Sequence, residues 1–438
     1  MPAGLLNISI LERALLHVIG REEGLRLRID QTDRGLSQVI GSAADSPVEE
    51  VDLVGVPTSE QLKVIERACA ERQHGFRFDG STPLVKVSAF RTSESGDYYL
   101  LVLLHHFVAD GVGYRLFLNA LDSAYSSFAA GQTPVDPGAT PLSQWLGRLN
   151  DYANGEAPAE LEYWESLRYD LFDMRVNDAG SRAAGFSAET ARWLHYAGFE
   201  EIIDEKLCNP LWKDQATYHL RISEQTTACL LKTAPTSAHC EDFDILLAAI
   251  SGAFGRTFGN YSLWIDSLTS TRGSLFDDID PSQTIGYIGE LVPLPLYVTG
   301  TESRLDRACS IYQQRSSLPR KGIGFRALKY LNRQPAVRER IDRLPLPRIG
   351  VNYRARLQRH YPRRLLSRDS HPLWIGEDMN QSVMNYLFWF RVGYQSGELQ
   401  IEVRYDPRQV GYESTRSLCT NFREELLRTV DAFAQGNA

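Results

Sequence analysis

The sequence predicts an α/β (α+β) protein, because short apolar runs typical of strands alternate with longer stretches at helical spacing. Residues Tyr98 to Leu104 have the length and composition of a buried strand. From Val112 onward, apolar residues recur at helical spacing until Gly131, which is a plausible helix stop. A chain of 438 residues has room for two domains of ordinary size or for one two-lobed unit.

The other predicted elements continue this alternation along the chain. Helices are predicted at residues 10–20, 57–72 and 413–434, and strands at 217–223 and 261–266. The stretch that begins at Asp244 is apolar almost all round, which is typical of a buried helix. Because residues 171–212 show no clean period, we predict an N-terminal lobe at 1–170, a crossover at 171–212 and a C-terminal lobe at 213–438.

Composition excludes several classes of function. The net charge of −8 and the isoelectric point near 5.7 argue against nucleic acid or an anionic membrane as a general partner. No apolar run approaches membrane-spanning length, and no positive region precedes the first apolar residues, so we expect a cytoplasmic protein. The six cysteines are scattered without metal-ligand spacing, and no metal site is predicted.

Polar residues follow the predicted strand in the pattern His105-His106-x-x-x-Asp110-Gly111. Side chains alternate along a strand, so we expect the two histidines to point to opposite faces and only one to reach a cavity. Asp110 stands where the helix begins, and Gly111 allows a positive φ or a close backbone approach. A lone histidine at a strand end is more often a satisfied core residue. However, four fixed positions arise by chance in roughly a few cases per thousand, which favours function.

The pattern resembles the HHxxxDG signature of the chloramphenicol-acetyltransferase-like acyltransferases. These include condensation and epimerization domains of peptide synthetases, polyketide-associated acyltransferases, wax ester synthases and plant alcohol acyltransferases. Four later stretches are similar, in order, to the C-terminal half of condensation and epimerization domains: residues 266–273, 284–296, 321–331 and 349–353. The resemblance covers about residues 5–435 and identifies the chain as a free-standing condensation-type domain.

The resemblance implies two lobes, each a mixed sheet flanked by helices, in a V-shaped pseudo-dimer with the active site between them. It implies an acyl thioester, carried on the phosphopantetheine of an acyl or peptidyl carrier protein or on coenzyme A, and an amine or alcohol acceptor. No cofactor is expected to be bound permanently, and neither nucleic acid nor a membrane is an expected partner.

The resemblance also assigns roles to individual residues. His106 is the expected general base, since a neutral imidazole accepts protons near neutral pH, and His105 is expected to pack inside the lobe. Asp110 is expected to stay ionised and to hold the turn. Its expected partner is Arg26, although an exposed strand arginine is an equally good interpretation of that residue. Gly111 would let a substrate carbonyl approach the backbone. Three further residues are candidates for the substrate channel: Tyr287, Asn352 and Arg272.

Departures from the family leave alternatives open. A helix and strand that usually precede the first helix are absent, so the start is either naturally short or truncated. Epimerization domains carry a glutamate where this chain has Leu268, which disfavours epimerization of a carrier-bound residue. The remaining alternative is a non-catalytic recruitment platform. Platforms of this fold usually lose a motif histidine, whereas both are present here.

Overall fold

The computed structural model describes residues 6–32, 35–42, 48–78, 83–172, 212–233, 240–273, 275–354, 386–395 and 397–436. These residues form two compact units. The first unit takes its described residues from 1–148 and 270–289, and the second from 149–269, 290–359 and 379–438. The first unit therefore includes a segment from the second half of the chain. The predicted domain boundaries stay a prediction, and the predicted crossover at 171–212 lies almost wholly outside the described residues.

The first unit contains two small sheets. Its elements are α1 (Ile8–Arg21), β1 (Leu27–Thr32), β2 (Gly35–Ile40), β3 (Glu49–Asp52), α2 (Thr58–His74), β4 (Val85–Arg91), β5 (Tyr98–Leu104) and α3 (Gly111–Ala129). Strands β1 and β2 form an antiparallel hairpin. In the mixed sheet β3-β4-β5, β3 runs parallel and β5 antiparallel to β4. Helix α2 packs on this sheet through Ile65 and Cys69, which meet Phe90 and Leu101 in a buried cluster.

Helix α3 follows directly from the predicted strand-turn-helix pattern. The Asp110 side chain accepts hydrogen bonds from the backbone N–H groups of Val112 and Gly113, which caps the helix start. Phe117 and Leu121 are buried on its inner face, where the helix packs against α1. Gly131 lies just beyond the helix end with a φ of 71°, a conformation that glycine adopts without strain.

The second unit is built on one six-stranded mixed sheet in the order β6-β11-β10-β9-β7-β8. Its strands are β6 (Ala216–Ile222), β7 (Leu263–Ser270), β8 (Gly289–Leu296), β9 (Ile349–Tyr353), β10 (Phe388–Gln395) and β11 (Glu398–Tyr405). The remaining helices are α4 (Leu142–Gly155), α5 (Leu161–Glu165), α6 (Glu224–Thr233), α7 (Asp242–Phe258), α8 (Arg304–Ser316), α9 (Gly324–Tyr330), α10 (Pro335–Asp342) and α11 (Tyr412–Gly436).

The core of the second unit is organised around helix α7. Its residues from Asp244 to Gly255 are buried without a break, and it packs against α8 and α11. Strand β9 runs parallel to both β7 and β10, and β11 runs antiparallel to β10 and β6. The predicted α/β class, with a mixed sheet and flanking helices in each unit, is confirmed. Within the described residues, no helix combines the length and the apolar character needed to cross a membrane.

Candidate active site

The two histidines lie in a turn and not on a strand. Strand β5 ends at Leu104, and the pairing of β5 with β4 closes at Leu104 opposite Val85. The N–H of His105 still donates to the carbonyl of Leu84 at 2.9 Å, and the N–H of Val108 donates back to the carbonyl of His105 at 3.0 Å. The prediction that strand alternation separates the histidines is therefore wrong. Their directions are set by individual contacts in the turn.

His105 is held by its surroundings. Its half-buried ring stands edge-on to Phe76 and Phe78, with ring centroids 5.5 and 4.8 Å away. Its Nδ1 accepts a hydrogen bond of 3.1 Å from the backbone N–H of Phe107, so the neutral ring carries its proton on Nε2. Burial lowers the pKa of His105, and the neighbouring His106 lowers it further. These contacts give His105 a structural role.

His106 is exposed and presents a proton-accepting nitrogen. Its Nδ1 lies 2.8 Å from the carbonyl oxygen of Ala109. A carbonyl only accepts hydrogen bonds, so Nδ1 must carry the proton of the neutral ring, which leaves the lone pair on Nε2. Among the described residues, Nε2 has no hydrogen-bond partner. The ring of Tyr287 stands beside the imidazole, with centroids 5.1 Å apart.

Asp110 holds the turn with both carboxylate oxygens. Its Oδ1 accepts from the N–H groups of Val112 and Gly113 at 3.0 and 2.8 Å. Its Oδ2 accepts from Nη1 of Arg272 at 2.5 Å and from the N–H of Ile288 at 3.0 Å. The side chain is buried, and four donors satisfy it. These bonds anchor the segment around Ile288 to the start of α3.

The partner of Asp110 is Arg272, which corrects the prediction of Arg26. Arg26 instead donates from Nη1 to the carbonyl of Gly41 at 2.8 Å, next to the β1–β2 hairpin. Arg272 is buried and also donates from Nη2 to the carbonyls of Thr284 and Gly286. Burial lowers the pKa of the Arg272 guanidinium, and the Asp110 carboxylate partly offsets this effect. Through these bonds Arg272 braces the turn, while its Nε is buried without a hydrogen-bond partner among the described residues. A role for Arg272 in a substrate channel stays a prediction.

A close backbone approach occurs at Gly113, two residues after Gly111. A Cβ at position 113 would lie 2.8 Å from the carbonyl oxygen of Gly286, so only glycine fits there. Gly111 is the exposed first residue of α3 and is not among the described glycines with positive φ. A role for Gly111 in admitting a substrate carbonyl stays a prediction.

The predicted site residues divide between the two units. The first unit brings together His105, His106, Asp110, Gly111, Arg272 and Tyr287. Asn352 lies in the second unit, half-buried on β9 and aligned with Leu268 of the parallel strand β7. Its role in a substrate channel stays a prediction. Over the described part of the chain, no group of three or more His, Cys, Asp or Glu side chains is arranged to hold a metal.

Sequence reasoning missed a buried charged cluster in the second unit. Asp266 on β7 is buried, and its Oδ2 accepts from Arg326 at 2.5 Å and from the Tyr386 hydroxyl at 2.7 Å. Among the described residues, its Oδ1 is buried without a hydrogen-bond partner. Glu290 on β8 lies 3.8 Å from Arg326, and burial raises its pKa to about 7. The available signal was an acidic residue beside an apolar run in each of two strands, Asp266 after Leu-Trp-Ile in β7 and Glu290 before Leu-Val in β8.

Comparisons with known proteins show which proteins this chain is similar to. Residues 3–177 match the family model described as Condensation domain. The solved epimerization domain from the third module of tyrocidine synthetase B superimposes with a TM-score of 0.77 at 22% identity. The alignment covers 98% of this chain and 90% of that structure. The SgcC5 protein from Streptomyces globisporus superimposes with a TM-score of 0.67 at 15% identity, with the same coverage.

The curated relatives are much longer synthases. Bacitracin synthase 3 of Bacillus licheniformis is 24% identical over 423 residues, which cover 95% of this chain and 6% of the relative. Surfactin synthase subunit 1 of Bacillus subtilis (strain 168) is 23% identical over 430 residues, covering 96% of this chain and 11% of the relative. This chain therefore spans a small part of the length of the relatives it matches. The predicted resemblance to condensation-type domains is confirmed.

Proposed function

We propose that this chain is an acyltransferase in which His106 acts as general base. The acceptor amine or hydroxyl attacks the carbonyl carbon of an acyl thioester, and Nε2 of His106 takes the proton that the acceptor loses. The new C–N or C–O bond forms, the C–S bond breaks, and the proton passes to the departing sulfur. The observation that carries this proposal is the exposed residue His106, whose Nε2 lone pair follows from the bond between Nδ1 and the carbonyl of Ala109.

The turn is built to hold that nitrogen in place. Asp110 ties the start of α3 to Arg272 and to the N–H of Ile288. Tyr287, whose ring stands beside His106, is the residue before Ile288. The base and its aromatic neighbour are thus positioned by one buried ion pair. A positioned base typically contributes on the order of 10²–10⁴ in rate, so positioning of the two substrates must supply the rest.

We infer that the donor is an acyl group on the phosphopantetheine of a carrier protein or on coenzyme A. The relatives are named as synthases of bacitracin and surfactin. One superimposable starter condensation domain, from rhizomide synthetase, is described in complex with C8-CoA and Leu-SNAC, at 16% identity and a TM-score of 0.65. These similarities support a thioester donor and an amino-group acceptor in secondary metabolism.

The test is acyl transfer by the full chain, with His106→Gln as the variant and His105→Gln as its matched control. Acyl-CoA and carrier-bound acyl groups are offered with a panel of amines and alcohols, and products are measured by mass spectrometry. We expect His106→Gln to lower kcat about 10²–10⁴-fold. His105→Gln should keep most of the activity, because the His105 ring packs against the rings of Phe76 and Phe78.

Three outcomes would contradict the proposal. Full activity of His106→Gln would remove its general-base role. Exchange of the substrate α-proton with deuterium, without acyl transfer, would indicate epimerization. Tight binding of a carrier protein by the wild type, with no turnover of any donor, would indicate a recruitment platform.

A further inference from the structure

We propose that the basic segment, residues 320–343, is the docking surface for an acidic carrier protein. This inference rests on the proposed function and names the surface that brings the donor or acceptor to it. The basic segment lies entirely within the second unit and comprises the turn before α9, the helices α9 and α10, and the residue that follows α10.

The charge of the basic segment is opposite to that of the whole chain. It contains eight basic and two acidic side chains, a formal charge of +6, in a protein with a net charge of −8. Such a local reversal of sign attracts a negatively charged partner. The attraction depends on how many of the eight cations are already neutralised by the protein itself.

Half of these cations have no partner within the described residues. Arg326 pairs with Asp266, Lys329 with Asp342, Arg340 with Glu165 and Arg320 with Glu156. Across the described part of the chain, the other four side chains are exposed and have no ion pair or hydrogen bond: Lys321, Arg333, Arg338 and Arg343. Of the two acidic side chains, Asp342 is paired with Lys329 and Glu339 has no ion pair in the same ranges, so an excess of positive charge faces solvent.

The apolar residues of the basic segment favour a protein partner over a nucleic acid. Tyr330 is 61% exposed and Leu331 is 38% exposed, and both lie between the cations at 321 and 333. An apolar centre with a charged rim is the usual anatomy of a protein–protein interface. A carrier protein of net negative charge supplies both the complementary charge and an apolar contact.

The backbone at the start of the basic segment is held in an unusual shape. Arg320 and Lys321 have φ values of 41° and 55°, and they are the only non-glycine residues with positive φ in the described ranges. Gly322 follows with a φ of 87°, and a Cβ there would lie 2.3 Å from Val292 Cγ1. Backbone strain of this kind persists where the surroundings enforce it, and it is concentrated at functional sites. Lys321, at this turn, is one of the four exposed cations.

The test compares two double charge reversals that change the net charge equally. The variant Arg333→Glu/Arg338→Glu alters the basic segment. The matched control Arg67→Glu/Arg423→Glu reverses two exposed cations elsewhere that also lack partners among the described residues. A fluorescently labelled holo peptidyl carrier protein of net negative charge is the probe, and its Kd for the full chain is measured by anisotropy. Near-ultraviolet circular dichroism checks that each variant is folded.

We expect the reversal in the basic segment to raise the Kd about tenfold or more, and the control to raise it less than about twofold. Arg333→Lys/Arg338→Lys should keep the wild-type Kd within about twofold, because charge and not guanidinium geometry carries the attraction. Salt at about 0.5 M should abolish the difference between variant and wild type. Equal losses in the two reversals would overturn the proposal. The proposal would also be overturned if the carrier protein did not bind, while a DNA duplex or anionic phospholipid vesicles bound the wild type and lost affinity for Arg333→Glu/Arg338→Glu.

Failure of this inference can be told apart from failure of the proposed function. An acyl N-acetylcysteamine thioester needs no docking surface, so Arg333→Glu/Arg338→Glu should turn it over like the wild type. If the variant turns over that thioester normally and its Kd for the carrier protein is unchanged, docking at the basic segment is wrong and the proposed acyltransferase activity is unaffected. If the carrier binds as expected and no donor is turned over, the acyltransferase is wrong and the docking surface stands.

Discussion

Two aspartate–arginine pairs of the described residues, Asp110–Arg272 in the first unit and Asp266–Arg326 in the second, differ in how completely the buried aspartate is satisfied. Asp110 and Arg272 meet at 2.5 Å, as do Asp266 and Arg326. Asp110 receives four hydrogen bonds, three of them from backbone N–H groups. Asp266 receives two on one oxygen, while its other oxygen is buried without a partner in the described residues.

Because of this difference, the Asp110–Arg272 pair acts as a structural brace, whereas Asp266, Arg326 and Glu290 form a cluster whose carboxyl groups titrate. The Asp110 pair is neutral overall, and its bonds join α3 to the segment 284–288, so its role is to fix the turn that carries His106. The Asp266 pair has Glu290 beside it, so one cation faces two carboxyl groups. Burial raises the pKa values of both Asp266 and Glu290, so this cluster releases protons at higher pH than exposed acids do.

The largest effect is expected from breaking the brace. Asp110→Ala removes the helix cap and leaves the buried Arg272 guanidinium without its counter-charge. Removing one partner of a buried pair costs about 3–5 kcal/mol. Urea denaturation of the wild type and the variant measures the loss of unfolding free energy.

The same change in the other pair is the control that sharpens the comparison. Asp266→Ala leaves Arg326 with Glu290 at 3.8 Å and with the carbonyl of Leu291 at 2.7 Å. It also removes an oxygen that had no partner among the described residues. We expect a smaller cost, about 1–3 kcal/mol. If Asp266→Ala costs more than Asp110→Ala, the distinction between brace and cluster is wrong.

A smaller, pH-dependent effect is expected at Glu290. Its pKa in the folded protein is about 7, above the ordinary value of 4.5, so between these values the folded state holds a proton that the unfolded state has released. Stability from this group is therefore present at pH 4, falls as pH rises toward 7, and is constant above that. Glu290→Gln should be more stable than the wild type at pH 8, by about 1–2 kcal/mol, since a third of the side chain meets screening solvent.

Thermal denaturation of the Glu290→Gln variant between pH 4 and pH 8 measures this effect. The two proteins should have the same stability at pH 4. Glu66→Gln is the matched control, because Glu66 is exposed and has no ion pair within the described residues. A pH-independent difference would show that Glu290 does not titrate in this window.

The local part of the site could be predicted from the sequence, and the long-range part could not. The turn, the cap at Asp110 and the helix after it follow from residue types a few positions apart. The pairing of Asp110 with Arg272 joins residues 162 positions apart, and nothing in a single sequence selects Arg272 over Arg26. The end of β5 before His105 could not be predicted either. The backbone groups of Ala109 and Phe107 orient the two histidine rings through hydrogen bonds, which the apolar periodicity of the sequence does not reveal.

The cluster around Asp266 was missed for the same physical reason. Asp266, Glu290, Arg326 and Tyr386 come from four separate stretches of chain and meet only in the folded second unit. The buried helix α7, in contrast, was predicted correctly because its own residues are apolar all round.

The most direct test concerns the protons of the two neighbouring histidines. Long-range ¹H–¹⁵N correlation spectra of the full chain at a pH where both rings are neutral, assigned with the variants His105→Gln and His106→Gln, report which ring nitrogen carries hydrogen. We expect opposite tautomers, with the proton of His106 on Nδ1 and that of His105 on Nε2. A proton on Nε2 of His106 would mean that the nitrogen facing solvent cannot accept one, and the general-base role would be lost.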